Sequence, residues 1–176
     1  MMKKLLTALW AACLLCLSPM SARAELAAGQ PAPAFSLPDQ QQKMHSLGDY
    51  SGKWLVVYFY PKDDTPGCTT EVCNFRDEIF KLHELGAEVV GVSVDNTDSH
   101  RKFAEKYNVP FPLLADEGGK VAEQYGSLTS IGPIKFAARN TFIIDPQGKI
   151  AKIYEGVDPK EHTAEVIADI RALQAP

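Results

Sequence analysis

The chain has 176 residues, of which 18 are Lys or Arg and 22 are Asp or Glu, so its formal net charge is −4. The acidic balance and the lack of a basic run argue against nucleic acid and anionic membrane surfaces as partners. Hydrophobic residues make up 45% of the sequence, as in ordinary globular proteins.

The N-terminus has the pattern of a secretory signal peptide. Two lysines form a basic start, an apolar stretch covers residues 5–17, and residues 22–24 (Ala-Arg-Ala) offer a small-x-small cleavage site. The apolar stretch is too short for a stable membrane span, although an uncleaved anchor is the alternative. We therefore expect a signal peptide over residues 1–24 that is cleaved after Ala24. The remaining domain, residues 25–176, is expected to be periplasmic or secreted, without stable membrane association.

Apolar runs and turn signals predict alternating strands and helices. Two nearly continuous apolar runs, at 54–60 and 87–93, are typical of strands that are covered on both faces. A helix between them is expected to begin near Cys68 and to be ended by Gly86. These three elements form a β-α-β unit, whose crossover should be right-handed.

The second half of the chain continues with shorter elements. Thr97 or Asp98 is expected to cap a helix that runs to Tyr107. The remaining predicted elements are a strand at 111–115, a helix at 120–125, a hairpin over 141–154 and a helix at 159–173.

A β-α-β half followed by a β-β-α half, with a cysteine at the start of the first helix, is the thioredoxin arrangement. We therefore predict an α/β, thioredoxin-like fold with a central mixed β-sheet flanked by helices. Residues 25–50 form an N-terminal extension to this fold, and residues from about 95 to 126 form an inserted segment. Within the extension, residues 27–34 are expected to be loosely held.

Two classes of site find no support in the sequence. No glycine-rich phosphate loop or dinucleotide fingerprint is present. The histidines show no metal-ligand spacing, among themselves or with the cysteines, and are expected at the surface. They are His45, His83, His100 and His162.

Cys68 and Cys73 are the cysteines that remain once the predicted leader is removed. At a helix start, unpaired N–H groups and the positive end of the helix dipole favour a thiolate at Cys68. Two cysteines in an exported protein would ordinarily form a structural disulfide. On one helix, however, five residues separate them by about 7.5 Å along the axis and about 140° around it. A bond would require this turn to unwind, which favours a disulfide that is made and broken during turnover.

The run over residues 58–77 resembles the active-site signature of the peroxiredoxins, and it is closest to the PrxQ or bacterioferritin comigratory protein subfamily. The pattern Pro-x-x-x-Thr-x-x-Cys is met by Pro61, Thr65 and Cys68, and the subfamily's second cysteine, five residues later, matches Cys73. The segments that support this resemblance lie in the expected order at 29–35, 91–95, 113–116 and 139–145. The chain departs from many members between residues 126 and 138, where the pocket rim is expected.

The resemblance implies a thioredoxin-dependent, atypical 2-Cys peroxidase that reduces hydrogen peroxide and organic hydroperoxides. In it, Cys68 would become a sulfenic acid, Cys73 would resolve it as an intramolecular disulfide, and a thioredoxin-like dithiol would reduce that bond. Arg139 would pair with the thiolate and the peroxide, Thr65 would orient the peroxide, and Pro61 would shield the thiolate from water. The resemblance further implies a monomer that needs no metal, haem or flavin.

The residues also admit plainer interpretations. Arg139 could be a solvated charge at a strand end, Thr65 a helix cap and Pro61 the end of a strand. Glu71, one turn after Cys68, could orient Arg139 or could equally be an ordinary acid of the first helical turn, and it is left outside the site.

Two other functions are compatible with the fold. One is a non-peroxidatic thiol–disulfide exchange protein of the cell envelope, although such proteins usually carry Cys-x-x-Cys and this chain has four residues between its cysteines. The other is a non-enzymatic thioredoxin-fold module with a structural disulfide. Consumption of peroxide separates the peroxidase from both.

Overall fold

A computed structural model describes residues 26–175, so the predicted signal peptide at residues 1–24 lies outside the described part of the chain. The strands are β1 (Ser36–Pro38), β2 (Met44–Ser46), β3 (Trp54–Phe59), β4 (Ala87–Ser93), β5 (Leu113–Ala115), β6 (Leu128–Ile131), β7 (Ile134–Ala137), β8 (Asn140–Ile144) and β9 (Ile150–Glu155). The α-helices are α1 (Pro66–Glu84), α2 (Thr97–Tyr107), α3 (Lys120–Gln124) and α4 (His162–Gln174), and a short 3-10 helix covers Leu47–Tyr50.

The central sheet has five strands in the order β5-β4-β3-β8-β9. The central strand β3 runs parallel to β4 and antiparallel to β8, while β5 and β9 form the edges. This is the predicted mixed sheet of a thioredoxin-like fold, and it is confirmed. Because β3 and β4 are covered on both sides, their sequences are continuous apolar runs rather than alternating ones.

Each face of the sheet has its own hydrophobic core. On one face, Val56, Tyr58 and Tyr60 pack against apolar residues of α1, α2 and α4. On the other, Leu55 and Phe59 pack against α3 and the N-terminal segment. The helix that carries both cysteines therefore lies on the first face. None of the helices described between residues 26 and 175 is long and apolar enough to cross a membrane.

The start of α2 differs from the sequence prediction, which placed its cap at Thr97 or Asp98. The N-cap is Asn96, whose side-chain oxygen accepts a hydrogen bond from the Ser99 N–H at 2.9 Å. Consecutive polar residues can all serve as caps, and the backbone geometry decides which of them does.

The N-terminal segment is bound to the sheet, so the prediction that residues 27–34 are loosely held is wrong. The Gly29 N–H donates to the Ile150 carbonyl at 2.7 Å, and the Ala32 N–H donates to the Gly148 carbonyl at 2.9 Å. Phe35 follows and is buried beneath the sheet. The hydrogen bonds join backbones that are distant in sequence, and composition does not reveal such pairings.

Strands β6 and β7 form a hairpin that the sequence did not predict. The hairpin tip exposes 72% of Ile131 and 67% of Ile134, whereas Ala137 at its base is buried. The base leads directly into Arg139 and β8. The hairpin therefore fixes the direction from which the chain reaches Arg139.

The prediction that all histidines lie at the surface is wrong, because only His83 is exposed. The other three are buried beside polar partners: His45 with Asp39, His100 with Asp63, and His162 with Thr141. Burial, together with the positive charge of Arg139, lowers the pKa of His162 to about 4. Buried imidazoles need hydrogen-bond partners, and the fold provides them from residues that are remote in sequence.

Candidate active site

The site is built at the start of α1, which begins after the loop that leaves β3. Thr65 is the N-cap in an extended conformation, and Pro66 occupies the first helical turn, where a missing N–H costs nothing. The first helical hydrogen bond joins the Thr69 N–H to the Thr65 carbonyl at 2.8 Å. Cys68 is the residue before Thr69, and its side chain is buried, with the residue only 1% exposed. Its sulfur therefore lies at the positive end of the helix in a nearly dry environment.

Arg139, which is not part of α1, also contacts the Cys68 sulfur. It lies immediately before β8, and its Nη2 donates to Cys68 Sγ at 3.3 Å. Its Nη1 donates to Glu71 Oε2, so one planar guanidinium bridges a thiol and a carboxylate. Gly67 permits this approach, since a Cβ there would lie 3.0 Å from Arg139 Nη2.

Glu71 is a residue of the site that the sequence analysis left out. Its side chain is fully buried, and burial raises the pKa of its carboxyl to about 7, against the opposing effect of Arg139. Its Oε1 has no hydrogen-bond partner within the described residues. The sequence feature that could have indicated it is its position three residues after Cys68, which places both side chains on one face of the helix.

The two other predicted residues belong to the loop between β3 and α1. The Thr65 hydroxyl donates to the Lys62 carbonyl at 3.0 Å, so its proton is directed to the loop while its lone pairs remain available. Its predicted N-cap position is confirmed, and its contact with peroxide stays a prediction. Pro61 is half-buried directly after Tyr60, whose N–H makes one more sheet hydrogen bond, to Val92. The shielding role of Pro61 likewise stays a prediction.

Cys73 lies further along the same helix, half-buried, and both cysteines are free thiols. The helix is continuous through them, as expected for the reduced protein. Immediately after Cys73, α1 is tied to its neighbours. Asn74 Nδ2 donates to the Pro159 carbonyl at 2.9 Å, and Arg76 Nη1 donates to the Tyr107 carbonyl at 2.6 Å.

The structure thus brings Cys68 and Arg139 together and adds Glu71, while Cys73 lies on the same helix. A buried sulfur beside a guanidinium and a helix start is suited to nucleophilic attack in which negative charge moves onto a leaving group. Among residues 26–175, no group of three or more His, Cys, Asp or Glu side chains is arranged to hold a metal ion.

Comparison with known proteins gives a consistent result. The model of the AhpC/TSA family matches residues 28–153. The chain is 45% identical to the peroxiredoxin named bcp of Coxiella burnetii over 143 residues, which cover 79% of this chain and 95% of that protein. It is 43% identical to the chloroplastic peroxiredoxin Q of Populus jackii over 147 residues, or 82% of this chain and 68% of that protein.

A solved structure matches as well. The bacterioferritin comigratory protein of Xanthomonas campestris, for which an alkyl peroxide reduction activity is described, superimposes with a TM-score of 0.78 at 30% sequence identity. The match covers 84% of this chain and 99% of that one.

Proposed function

Because this chain belongs to the AhpC/TSA family, and its relatives are peroxiredoxins of the Q type, we propose that it is a thiol-dependent peroxidase in which Cys68 attacks the peroxide and Cys73 resolves the product. The observation that carries the proposal is the 3.3 Å contact between Arg139 Nη2 and Cys68 Sγ. The contact supports a role for Arg139 as the positive partner of the thiolate, and we assign to the same cation the stabilisation of charge on the leaving oxygen.

In the first step, the Cys68 thiolate attacks one oxygen of the peroxide. A sulfur–oxygen bond forms as the oxygen–oxygen bond breaks, and the sulfur gives up two electrons. The departing hydroxide or alkoxide takes a proton and leaves as water or alcohol. Arg139 and the N–H groups at the helix start stabilise its charge. Thr65 can accept a hydrogen bond from the peroxide, since its own proton is held by the Lys62 carbonyl.

In the second step, Cys73 attacks the sulfur of the Cys68 sulfenic acid. The sulfur–oxygen bond breaks, hydroxide leaves and is protonated to water, and a disulfide is formed. Both cysteines are held by a continuous helix in the reduced protein, so the first turns of α1 must unwind for the sulfurs to meet. We propose that they do so in each turnover.

The substrates proposed are hydrogen peroxide and organic hydroperoxides. The alkyl peroxide reduction activity of the Xanthomonas campestris relative supports the second class. The reductant proposed is a thioredoxin-like dithiol, which returns two electrons to the disulfide and becomes a disulfide itself. The protein is expected to act as a monomer.

Replacing Cys73 by serine tests this cycle. The variant should form one equivalent of sulfenic acid at Cys68 with hydrogen peroxide and should then lose sustained turnover with a thioredoxin system, because no second thiol closes the disulfide. Peptide-resolved mass spectrometry of the whole chain would follow both cysteines. Thr70→Ser is the control, since it introduces a serine between the two cysteines of α1, keeps both thiols and should leave turnover intact. Sustained turnover in Cys73→Ser at the unmodified rate would refute the proposed role of Cys73.

We also propose that the protein acts in the periplasm or an equivalent exported space, on the basis of the leader pattern at residues 1–24. N-terminal sequencing of the exported protein should then begin at Glu25. Full-length chain that starts at Met1 in the cytoplasmic fraction would contradict export.

A further inference from the structure

The loop that joins β3 to α1 is organised around a buried carboxylate, Asp63. Its Oδ1 accepts a hydrogen bond from the Tyr60 hydroxyl at 2.7 Å, and its Oδ2 accepts from the Ser99 hydroxyl at 2.7 Å and from His100 Nδ1 at 2.9 Å. Its backbone N–H donates to Asp95 Oδ2 at 2.9 Å. Main chain and side chain of this one residue are therefore both fixed.

The partners of Asp63 come from three separate elements. Tyr60 follows β3, Asp95 follows β4, and Ser99 and His100 belong to the first turn of α2. A carboxylate that receives three side-chain donors, one from the end of β3 and two from α2, cannot shift without breaking several charge-assisted hydrogen bonds. Asp63 thus locks the loop to the end of the sheet and to α2 together.

The next residue, Asp64, adds a second attachment to α2. It adopts a left-handed backbone with φ 57°, which is uncommon for a residue other than glycine. Its carboxylate accepts hydrogen bonds from Lys106 Nζ at 2.7 Å and from the Tyr107 hydroxyl at 2.7 Å. These contacts hold the turn that delivers Thr65 to the helix start.

We propose that Asp63 is a positioning residue for peroxide reduction, acting through the loop that carries Pro61 and Thr65. This inference rests on the proposed roles of Cys68 and Thr65. Arg139 fixes the sulfur from the β8 side, whereas the buried side chain of the loop over residues 61–65 is that of Asp63, which is bonded to Tyr60 and to α2. Peroxide has to contact the Cys68 sulfur and the loop at the same time, whereas a simple alkylating agent has to contact only the sulfur.

The test compares two reactions of Cys68 in the Cys73→Ser background of the full chain. Asp63→Ala should lower the rate constant for oxidation of Cys68 by hydrogen peroxide about a hundredfold, a loss that a misplacement of about 1 Å can cause. Alkylation of Cys68 by iodoacetamide should be no slower than in the parent. Asp63→Asn keeps the shape of the side chain and part of its hydrogen bonding, so its rate constant for oxidation by peroxide should be about tenfold higher than that of Asp63→Ala. If the alanine variant does not fold, Asp63→Asn takes its place in the same comparison with the parent.

A second buried Asp–His pair in the same chain is the matched control. Asp39 Oδ2 lies 2.9 Å from His45 Nε2, in the β1–β2 hairpin, and its described contacts include no residue of the site. Asp39→Asn should leave both rates unchanged.

The proposal is overturned if Asp63→Ala oxidises as fast as the parent, or if oxidation and alkylation fall by the same factor. A parent protein whose Cys68 does not react with peroxide would instead refute the proposed function.

Discussion

Cys68→Ser should reduce peroxide consumption at least about a thousandfold, the scale of loss when an enzyme's nucleophile is removed. Serine nearly preserves the shape of the side chain, and the Arg139 guanidinium beside it can still donate a hydrogen bond to the hydroxyl. A hydroxyl, however, stays protonated at neutral pH where a thiol can ionise, and oxygen cannot be oxidised to the equivalent of a sulfenic acid. The loss would thus reflect chemistry and not folding.

The measurement is the decay of hydrogen peroxide in the presence of excess dithiol, with far-ultraviolet circular dichroism as a check on the fold. Cys73→Ser is the informative comparison, because it should still consume one equivalent of peroxide whereas Cys68→Ser should consume none. If Cys68→Ser retained a tenth or more of the parent activity, another residue would be the nucleophile.

Removing the guanidinium should produce the second largest loss. In a Glu71→Gln background, Arg139→Gln is expected to lower the rate constant for oxidation of Cys68 about 100- to 1,000-fold, as seen when one donor to a developing oxyanion is removed. The background matters because Arg139→Gln alone would leave Glu71 as a buried carboxylate without its partner, which costs about 3–5 kcal/mol of stability.

The rate constant of the double variant is compared with that of the Glu71→Gln protein by stopped-flow oxidation with hydrogen peroxide. Arg101→Gln is the control: its side chain is 47% exposed on α2, where it pairs with Asp98, and it should have no effect. A double variant within threefold of its background would show that the contact between Arg139 and Cys68 does not contribute to the reaction.

Much of the fold could be predicted because the strongest signals were local. The runs that became β3 and β4 are continuous and apolar, and Gly86 marks the end of the helix between them with its left-handed backbone. The β6–β7 hairpin could not be predicted in this way. Its apolar tip residues, Ile131 and Ile134, are exposed, so the pattern of a half-buried strand is absent.

The site could be predicted less well than the fold from the spacing of residues alone. Cys68 and Arg139 are 71 residues apart, and no periodicity relates them, so only the family resemblance predicted that they meet. Glu71 was left out because it was interpreted as an exposed acid of the first helical turn, whereas α1 begins at Pro66 and the fold buries this side chain completely. The histidines were misplaced for the same reason, since burial of a polar residue depends on a partner that the local sequence does not specify.

The position of the cysteine pair along α1 has a consequence for the timescale of the proposed cycle. Both sulfurs belong to the first eight residues of a 19-residue helix, and the attachments at Asn74 and Arg76 begin immediately beyond them. Opening this end has to break the contacts of Arg139 with Cys68 and Glu71 and to expose Val72, which is buried in the folded protein. Such local unfolding takes between microseconds and seconds, whereas a typical enzyme turnover takes about 0.1 s. Unwinding of α1, and not only the reaction between the sulfurs, is therefore able to limit the rate of disulfide formation.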